Sequence, residues 1–357
     1  MSRSASIERP QEYVPLAPFT TLGIGGPARW FAPATQVEHV IAACGPDSKP
    51  LFVLGGGSNL VVADEGFDGL VLRIAIEGVT TTPHGDDAIV TAGGGESWDS
   101  FVEQTVKQNL GGIECLSGIP GTVGGTPIQN VGAYGQEVAT SIEWVTAVDR
   151  LTRSVVRMTG EECRFSYRMS RFKREDAGRF VIAEVAFRLK RGVPPTVAYP
   201  DLADYLAQQR IACPTLHDVR DAVLQVRRRK GMVLDSADPD TRSVGSFFMN
   251  PVVDRATFER IAPAPHYLMD NDGVKIPAAW LIQQSGFVRG HADGAVGLST
   301  KHPLAIVNRG GATARDVLRL AQRIKRAVRD RFDVNLRPEP VFVGFAPDDD
   351  DVAFLTS

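Results

Sequence analysis

Three polar side chains stand out as candidates for chemistry in this chain. Arg168 ends the segment Ser-Tyr-Arg, Ser246 lies between a glycine and two phenylalanines, and Glu339 lies between two prolines. An arginine stays charged at neutral pH and can stabilise a developing oxyanion. A serine hydroxyl donates a proton only when a strongly basic partner drives the transfer. Residue types alone favour a simpler interpretation, with surface ion pairs for Arg168 and Glu339 and a turn hydroxyl for Ser246.

Several other catalytic classes lack their usual motifs. The six histidines form no i,i+4 pair, and the sequence has no GxSxG nucleophile elbow. The four cysteines include no CxxC pair, which argues against a zinc site and a disulfide framework and favours a reducing compartment. We therefore expect no bound metal and no simple serine hydrolase.

Two glycine-rich segments predict where a ligand binds. The stretch 118–135, GIPGTVGGTPIQNVGAYG, has no charged side chain, whereas solvated turns usually carry Asp, Lys or Ser. Backbone N–H groups between glycines can hold an anion such as a pyrophosphate. The segment 55–60, GGGSNL, follows a predicted strand but alone is typical of a hairpin turn. A dinucleotide cofactor held by these segments would indicate redox chemistry.

The elements that must position these residues alternate between helix and strand signals, which predicts an α+β fold. Apolar runs predict strands at 51–54, 70–76, 88–92, 141–149, 180–189, 304–307 and 341–345. Helices are expected after a Thr35/Glu38 capping box, Ser97, Thr215, Pro277 and Thr313. The basic run 227–230 is most simply a solvated helix end. The last residues, APDDDDVAFLTS, predict a solvated acidic tail.

Length and composition indicate a globular protein of more than one domain. A chain of 357 residues exceeds one ordinary core, and its net charge of −3 gives no general attraction to nucleic acid or membrane. The N-terminus shows no apolar core of a signal peptide, and no apolar stretch has the length of a membrane span. We therefore expect a cytoplasmic location.

The ordered set of motifs resembles a known family. FTTLGIGG, GGGSNL, GIPGTVGGTPIQNVGAYG, FSYR, GSFFMNP and RPEP occur in the order typical of the UDP-N-acetylenolpyruvoylglucosamine reductases, also called UDP-N-acetylmuramate dehydrogenases or MurB. The match runs from about residue 19 to 345. It implies an α+β fold with a two-part FAD-binding module of the vanillyl-alcohol-oxidase (PCMH) type, at 1–88 and 89–214. A mixed α/β substrate-binding domain at 215–357 follows.

The resemblance also implies non-covalent FAD and NADPH as co-substrate. By this resemblance, NADPH reduces the flavin and leaves, and a flavin hydride then goes to C3 of the enolpyruvyl group. Arg168 and Glu339 stabilise the developing charge, and Ser246 protonates C2 to give UDP-N-acetylmuramate, a peptidoglycan precursor. The implied cofactor-binding residues are Gly55, Gly56, Gly57, Ser58, Asn59, Leu60, Gly118, Ile119, Pro120, Gly121, Thr122, Gly124, Gly125, Gln129, Asn130, Gly132, Ala133 and Tyr134.

Four further positions match substrate-binding residues of the family. They are Tyr199, Lys230, Asn250 and Tyr267. Tyr199 resembles the tyrosine of a loop that covers the UDP group in one subclass, and Lys230 changes the interpretation of the basic run. Met249 replaces a residue that is commonly polar in the family, the segment 231–242 is longer than usual, and the resemblance does not choose between Lys301 and His302.

Two other functions remain open at this stage. One is an FAD oxidase of the same fold that uses oxygen, which GSFFMNP and RPEP argue against. The other is an inactive flavoprotein that only binds nucleotide sugars, against which the joint presence of Arg168, Ser246 and Glu339 argues. The nucleotide-sugar substrate is the expected partner, and we expect a monomer that binds neither nucleic acid nor membrane.

Overall fold

The structure is a computed structural model that describes residues 9–45, 49–269 and 273–357. Contacts divide the chain into two compact units. The first comprises the described residues of 1–14, 29–56 and 68–229, and the second comprises 15–28, 57–67 and the described residues of 230–357. Within these ranges, none of the helices combines the length and apolar character needed to cross a membrane.

The helices and strands alternate along the chain, which confirms the expected α+β class. The α-helices are α1 (Val37–Ala43), α2 (Trp98–Lys107), α3 (Pro200–Gln208), α4 (Leu216–Arg229), α5 (Arg255–Ile261), α6 (Ala278–Gln284), α7 (Ala314–Phe332) and α8 (Asp350–Thr356). The strands are β1 (Gln11–Pro15), β2 (Pro27–Ala34), β3 (Leu51–Leu54), β4 (Leu60–Val62), β5 (Phe67–Ile74), β6 (Val79–His84), β7 (Asp87–Gly93), β8 (Leu110–Gly111), β9 (Gly132–Ala133), β10 (Gln136–Glu137), β11 (Ile142–Asp149), β12 (Ser154–Thr159), β13 (Phe180–Arg191), β14 (Val252–Val253), β15 (Tyr267–Leu268), β16 (Val274–Lys275), β17 (Ala292–Asp293), β18 (Val296–Leu298), β19 (Ile306–Asn308) and β20 (Val341–Val343).

A six-stranded sheet forms the largest layer of the first unit. Its strand order is β12-β11-β13-β7-β6, and β8 also pairs with β13. The pairs β11–β13 and β13–β7 are antiparallel. Helix α2 packs its apolar face onto this sheet, and the rings of Trp98 and Phe101 lie 5.8 and 5.1 Å from that of Phe187 on β13. A four-stranded sheet, β1-β2-β5-β3, with β3 parallel to β5, completes the strand layers of this unit.

Helices α3 and α4 pack together in the first unit. Leu202 and Leu206 of α3 share a buried cluster with Val219, Val223 and Val226 of α4. A capping box between Thr215 and Asp218 opens α4, because each side chain bonds the other residue's backbone N–H. The predicted boundary at 214/215 is therefore not a boundary between compact units, since the apolar face of α4 needs α3 to cover it. The division into three functional domains stays a prediction.

The core of the second unit surrounds the long helix α7. Thr313 caps the helix, as the sequence predicts, and forms a capping box with Asp316. Apolar residues along α7 pack with α6 and with the buried rings of Phe247 and Phe248. Strand β20 pairs in parallel with β4 and so ties the chain near Glu339 to residues 60–62.

One local prediction holds only in part, and another is wrong. The acidic tail is partly solvated, since Asp348 and Asp350 are exposed, but Asp349 caps α8 and Leu355 is fully buried. Acidic residues at this position stabilise the helix N-terminus, and Arg315 pairs with Asp349 at 2.7 Å. The Thr35/Glu38 capping box does not form, because Gln36 occupies the N-cap position without a side-chain hydrogen bond.

Candidate active site

The glycine-rich stretch 118–135 is held to the start of α2 by backbone hydrogen bonds. Trp98 N donates to Gly121 O at 3.1 Å, and Gly124 N donates to Gly94 O at 2.9 Å. Ser97, the N-cap residue of α2, forms no side-chain cap and instead pairs with Thr122 through an isolated β-bridge. The third glycine turn, at 92–96, therefore serves to support the predicted cofactor loop.

Residues 55–56 lie directly against residues 121–122. A Cβ atom added to Gly56 would lie 2.5 Å from the Cα of Gly121, and one added to Gly55 would lie 2.9 Å from Oγ1 of Thr122. This close approach requires glycine. Oγ1 of Thr122 is buried and has no hydrogen-bond partner in the part of the chain that the structure describes. A buried hydroxyl of this kind fits a bound polar group, because an unpaired buried hydroxyl is costly.

The rest of the GGGSNL segment belongs to the second unit. Gly57 has a φ of +61°, and a Cβ there would lie 1.8 Å from the carbonyl oxygen of Phe19. Thr21 N also donates to Gly57 O at 3.1 Å. Asn59 Nδ2 donates to Glu339 O at 3.2 Å, so this segment positions the candidate glutamate as well as the predicted cofactor contacts.

Arg168 lies at the tip of a tight turn in the first unit. Ser166 and Met169 exchange two backbone hydrogen bonds of 3.0 Å, and Arg168 adopts a φ of +54°. Asn130 fastens this turn, since its Nδ2 donates to Ser166 O at 3.1 Å and to Glu137 at 2.8 Å. A positive φ is uncommon for arginine and requires such support.

The side chain of Asn130 is therefore committed to the protein. Its Oδ1 accepts from Ala139 N at 3.1 Å, and the residue is 1% exposed. Any contact from Asn130 to a cofactor would have to use its backbone. The side chain instead positions Arg168.

Ser246 and Glu339 lie on neighbouring segments of the second unit. Glu339 N donates to Phe247 O at 2.9 Å, and Phe248 pairs with Pro338. The buried rings of Phe247 and Phe248 anchor the segment, with centroids 5.2 Å apart. Ser246 itself is half-buried, and its hydroxyl makes no hydrogen bond within the described ranges.

The remaining predicted substrate residues have mixed surroundings. Tyr199 is the N-cap residue of α3, and its ring meets that of Tyr134 edge-on at 5.5 Å. Asn250 accepts from Ala278 N at 2.9 Å, so its side chain also supports the start of α6. Tyr267 is 59% exposed on β15. Lys230 is half-buried and is the first residue of the last segment of the second unit.

The segment 231–242 is anchored to the turn at 299–302. Asp240 is buried and accepts from Thr300 N at 3.2 Å, while Asp238 pairs with Lys301. The hydrogen bond that Lys301 donates to Asp238 raises the pKa of the Lys301 amine. His302 accepts from Leu304 N through Nδ1 at 3.0 Å. Asp238 of this segment thus holds Lys301 in an ion pair.

Sequence reasoning missed two charged residues beside the glycine-rich stretch. Asp99 accepts from Gly118 N at 2.6 Å and from Arg220 through two bonds of 2.6 and 3.0 Å. Burial raises the pKa of Asp99, but the bonds from Arg220 and Gly118 outweigh it and leave the pKa below its usual value. An acidic residue in the first turn of a helix usually stabilises only the helix dipole. The residue type of Asp99 therefore did not predict its contact with Gly118.

The interpretation of the basic run is wrong for one residue. Arg228 and Arg229 are exposed, but Arg227 is buried and donates a hydrogen bond to Tyr134. The pKa of Arg227 lies below its usual value, mainly because the side chain is buried. The charge of Arg168 also lowers this pKa, whereas the charges of Tyr134 and Asp99 raise it in part.

Comparisons with known proteins agree with this arrangement. A family model described as "FAD binding domain" matches residues 30–158, and one described as "UDP-N-acetylenolpyruvoylglucosamine reductase, C-terminal domain" matches residues 238–343. The UDP-N-acetylenolpyruvoylglucosamine reductase of Thermobifida fusca is 46% identical over 93% of this chain and 97% of its own length. That of Mycobacterium tuberculosis is 44% identical over 93% of this chain and 95% of its own length.

A solved structure agrees with the fold. The UDP-N-acetylenolpyruvylglucosamine reductase of Thermus caldophilus is 26% identical, with a TM-score of 0.66 over 94% of this chain and 99% of that one. The fold class is confirmed as α+β with an FAD-binding module of the vanillyl-alcohol-oxidase type, and the protein is an FAD-dependent oxidoreductase. On these similarities, the chain belongs to the UDP-N-acetylenolpyruvoylglucosamine reductase family.

Proposed function

We propose that this protein reduces UDP-N-acetylenolpyruvoylglucosamine to UDP-N-acetylmuramate, with NADPH as the reductant, in the synthesis of peptidoglycan precursors. The observation that carries the proposal is the backbone hydrogen bond that joins the segments of Ser246 and Glu339 in the second unit. Glu339 N donates to the carbonyl of Phe247, the residue next to Ser246, whose hydroxyl has no hydrogen bond within the described ranges. Family membership supports the reaction, and this arrangement supplies a serine hydroxyl on a segment next to that of Glu339.

The residues proposed to hold FAD are those of segments 55–60 and 118–134. Backbone N–H groups between the glycines would bind the pyrophosphate, and the buried hydroxyl of Thr122 would gain a hydrogen-bond partner. When bound, FAD supplies the hydride that reduces C3 of the enolpyruvyl group. Because Asn130 is already fully engaged, its side chain serves the Arg168 turn instead.

Each proposed catalytic residue has one task. Arg168 stabilises the negative charge that develops on the substrate carboxylate, and Glu339 would assist by donating a hydrogen bond from a carboxylic acid group. Ser246 donates its hydroxyl proton to C2. The accepting carbon is strongly basic at that stage, so the serine needs no pKa near neutrality. Tyr199, Lys230, Asn250 and Tyr267 are proposed to contact the nucleotide sugar.

A steady-state assay tests this proposal. The purified protein with FAD is given NADPH and UDP-N-acetylenolpyruvoylglucosamine, and NADPH consumption is followed with product mass. Substrate-dependent NADPH consumption under nitrogen, with a product two mass units heavier than the substrate, is the expected result. NADPH consumption that depends only on oxygen would contradict it. Action as a cytoplasmic monomer stays a prediction from the sequence.

A further inference from the structure

Helix α4 carries two buried arginines on one face. Arg220 and Arg227 are each 8% exposed, whereas Arg228 and Arg229 next to them are exposed. A spacing of seven residues is close to two helical turns, so both side chains leave the helix on the same side. Burying two guanidinium groups is costly unless each is paired. Arg220 bonds Asp99, which contacts the glycine-rich stretch 118–135, and Arg227 bonds Tyr134, which belongs to that stretch.

Arg220 leads to the beginning of that stretch. Its guanidinium holds Asp99 through two hydrogen bonds of 2.6 and 3.0 Å, and the same carboxylate accepts from Gly118 N at 2.6 Å. Gly118 has a φ of +70°. Its N–H donates to the charged carboxylate of Asp99, and this bond helps to fix that backbone conformation. The direction of the next N–H groups therefore depends on the Arg220–Asp99 pair.

Arg227 leads to the end of the stretch. It donates to Tyr134, which itself has a φ of +50° and lies in the β9–β10 hairpin. Tyr134 also packs against the apolar cluster formed by α3 and α4. The position of this hairpin therefore depends on a side chain from the same helix that holds Gly118.

We propose that α4 is a positioning element for the cofactor, with Arg220 acting through Asp99 on Gly118 and Arg227 acting on Tyr134. The two ends of the segment 118–134 are then fixed by one rigid helix, and the N–H groups between them are preorganised for an anionic ligand. This inference rests on the proposed assignment of that segment to FAD. Arg220 and Arg227 are positioning residues and need not contact the cofactor.

Titration of the apoprotein with FAD, followed by flavin fluorescence, tests the inference. Arg227→Gln and Arg220→Gln each remove a charged hydrogen bond, and each is expected to raise the dissociation constant of FAD about 10- to 100-fold. Arg228→Gln, an exposed arginine of the same helix, is the matched control and should leave the constant unchanged. The absorption band of any flavin that remains bound should also shift in the first two variants only.

Double variants separate positioning from a general loss of stability. Because Arg227 acts through Tyr134, Tyr134→Phe combined with Arg227→Gln should weaken FAD binding no more than either change alone. Asp99→Asn combined with Arg220→Gln should behave in the same way. Tyr134→Phe removes only the hydroxyl that accepts the hydrogen bond from Arg227. It therefore tests the same interaction if Arg227→Gln does not fold.

Two results have distinct meanings. If the wild-type protein binds FAD and Arg220→Gln, Arg227→Gln and Tyr134→Phe all bind it equally well, the inference about α4 is overturned and the proposed function stands. A lower melting temperature of the apoprotein without a change in FAD affinity also overturns it. If the wild-type protein does not bind FAD, the proposed function fails, and the inference fails with it.

Discussion

Among the described residues, the backbone around Ser246 is held by its neighbours, while the Ser246 hydroxyl makes no hydrogen bond. Phe247 N donates to Leu304 O at 2.8 Å, and Gly245 N donates to Ser243 Oγ at 3.1 Å. Thr21 in turn donates to Ser243 O at 2.6 Å. These bonds fix the backbone on both sides of Ser246, the residue proposed to donate the proton.

Ser246→Ala should therefore separate the two half-reactions. Flavin reduction by NADPH needs no proton from Ser246 and should keep nearly its wild-type rate. Flavin reoxidation by the enolpyruvyl substrate should slow on the order of 10²- to 10⁴-fold. Stopped-flow absorbance of each half-reaction is the measurement. Ser285→Ala is the matched control, because this buried hydroxyl of the same unit has no partner within the described ranges; equal slowing of both steps by Ser246→Ala would refute its assigned role.

Asn130→Asp should affect activity through Arg168. The new carboxylate would replace Nδ2, which donates to Ser166 O at 3.1 Å and to Glu137 at 2.8 Å, and would repel both acceptors. We expect the free energy of unfolding to fall by about 2 kcal/mol or more. Residual activity should fall in the same way as in Arg168→Ala. Urea unfolding and steady-state kinetics measure the two effects, and an unchanged kcat at full folding would show that the turn does not need Asn130.

Gly56→Ala should weaken FAD binding. Its Cβ would meet the backbone of Gly121 at 2.5 Å, so residues 55–56 and 121–122 would have to separate. We expect a loss of FAD affinity of about tenfold or more, measured by fluorescence titration. Gly45→Ala is the control, since its Cβ would lie 3.5 Å from Ala42 O, an ordinary contact. Equal affinities in the two variants would contradict the assignment of this loop to the cofactor.

Residue types drew attention to the glycine-rich segments but did not predict the roles of the charged residues that contact them. The lack of charge in 118–135 indicated a ligand-binding segment, and the structure places Gly56 and Thr122 against each other there. The positions of Asp99 and Arg227 were not predictable in this way. The role of each depends on a partner that is distant in sequence. Asp99 and Gly118 are 19 residues apart, and Arg227 and Tyr134 are 93 residues apart.

At the scale of elements, α8 depends on a buried lysine. Lys325 of α7 is 1% exposed and donates to Leu355 O at 2.7 Å and to Ser357 O at 2.9 Å. These bonds satisfy carbonyl groups at the end of α8 that have no partner within the helix. Burial, followed by the charges of Arg329 and Arg337, lowers the pKa of Lys325 to about 8.

This pKa predicts a pH dependence of stability. Because the folded-state pKa lies below the ordinary value near 10.5, the unfolded state binds more protons between pH 8 and 10.5. The cost of burying the charge is fully present below pH 8 and is lost as the pH rises to 10.5. Over this range, wild type should gain stability relative to Lys325→Met, by up to ~1.4 kcal/mol per pH unit. Urea unfolding of both proteins at pH 7.5, 9 and 10.5 checks this, and a constant difference would contradict it.

The predicted elements succeeded where local signals and burial agreed. Helices α4 and α7 begin at the predicted cap residues Thr215 and Thr313, and the apolar strands β3, β7 and β11 formed where expected. The acidic tail was mispredicted in part, because composition indicates solvation, whereas Asp349 pairs with Arg315 and caps a helix. The formation of α8 therefore depends on tertiary contacts, which composition alone does not predict.

At the scale of the whole molecule, the family relation accounts for both matched regions of the chain. The FAD-binding model matches 30–158, inside a range that belongs mainly to the first unit, and the C-terminal model matches 238–343 of the second. The interleaving of the units along the sequence could not be predicted from composition. Segments 15–28 and 57–67 join the second unit through contacts such as β4–β20, which link residues 281 positions apart, for example Leu60 and Val341.

An anaerobic stopped-flow trace at the flavin absorption band tests the central claim most directly. NADPH is added first to the protein with FAD, and UDP-N-acetylenolpyruvoylglucosamine is added second. Bleaching by NADPH followed by recovery on the substrate, without oxygen, is the result that the proposed reductase predicts. Bleaching that recovers only when oxygen is admitted would contradict it and would indicate an oxidase.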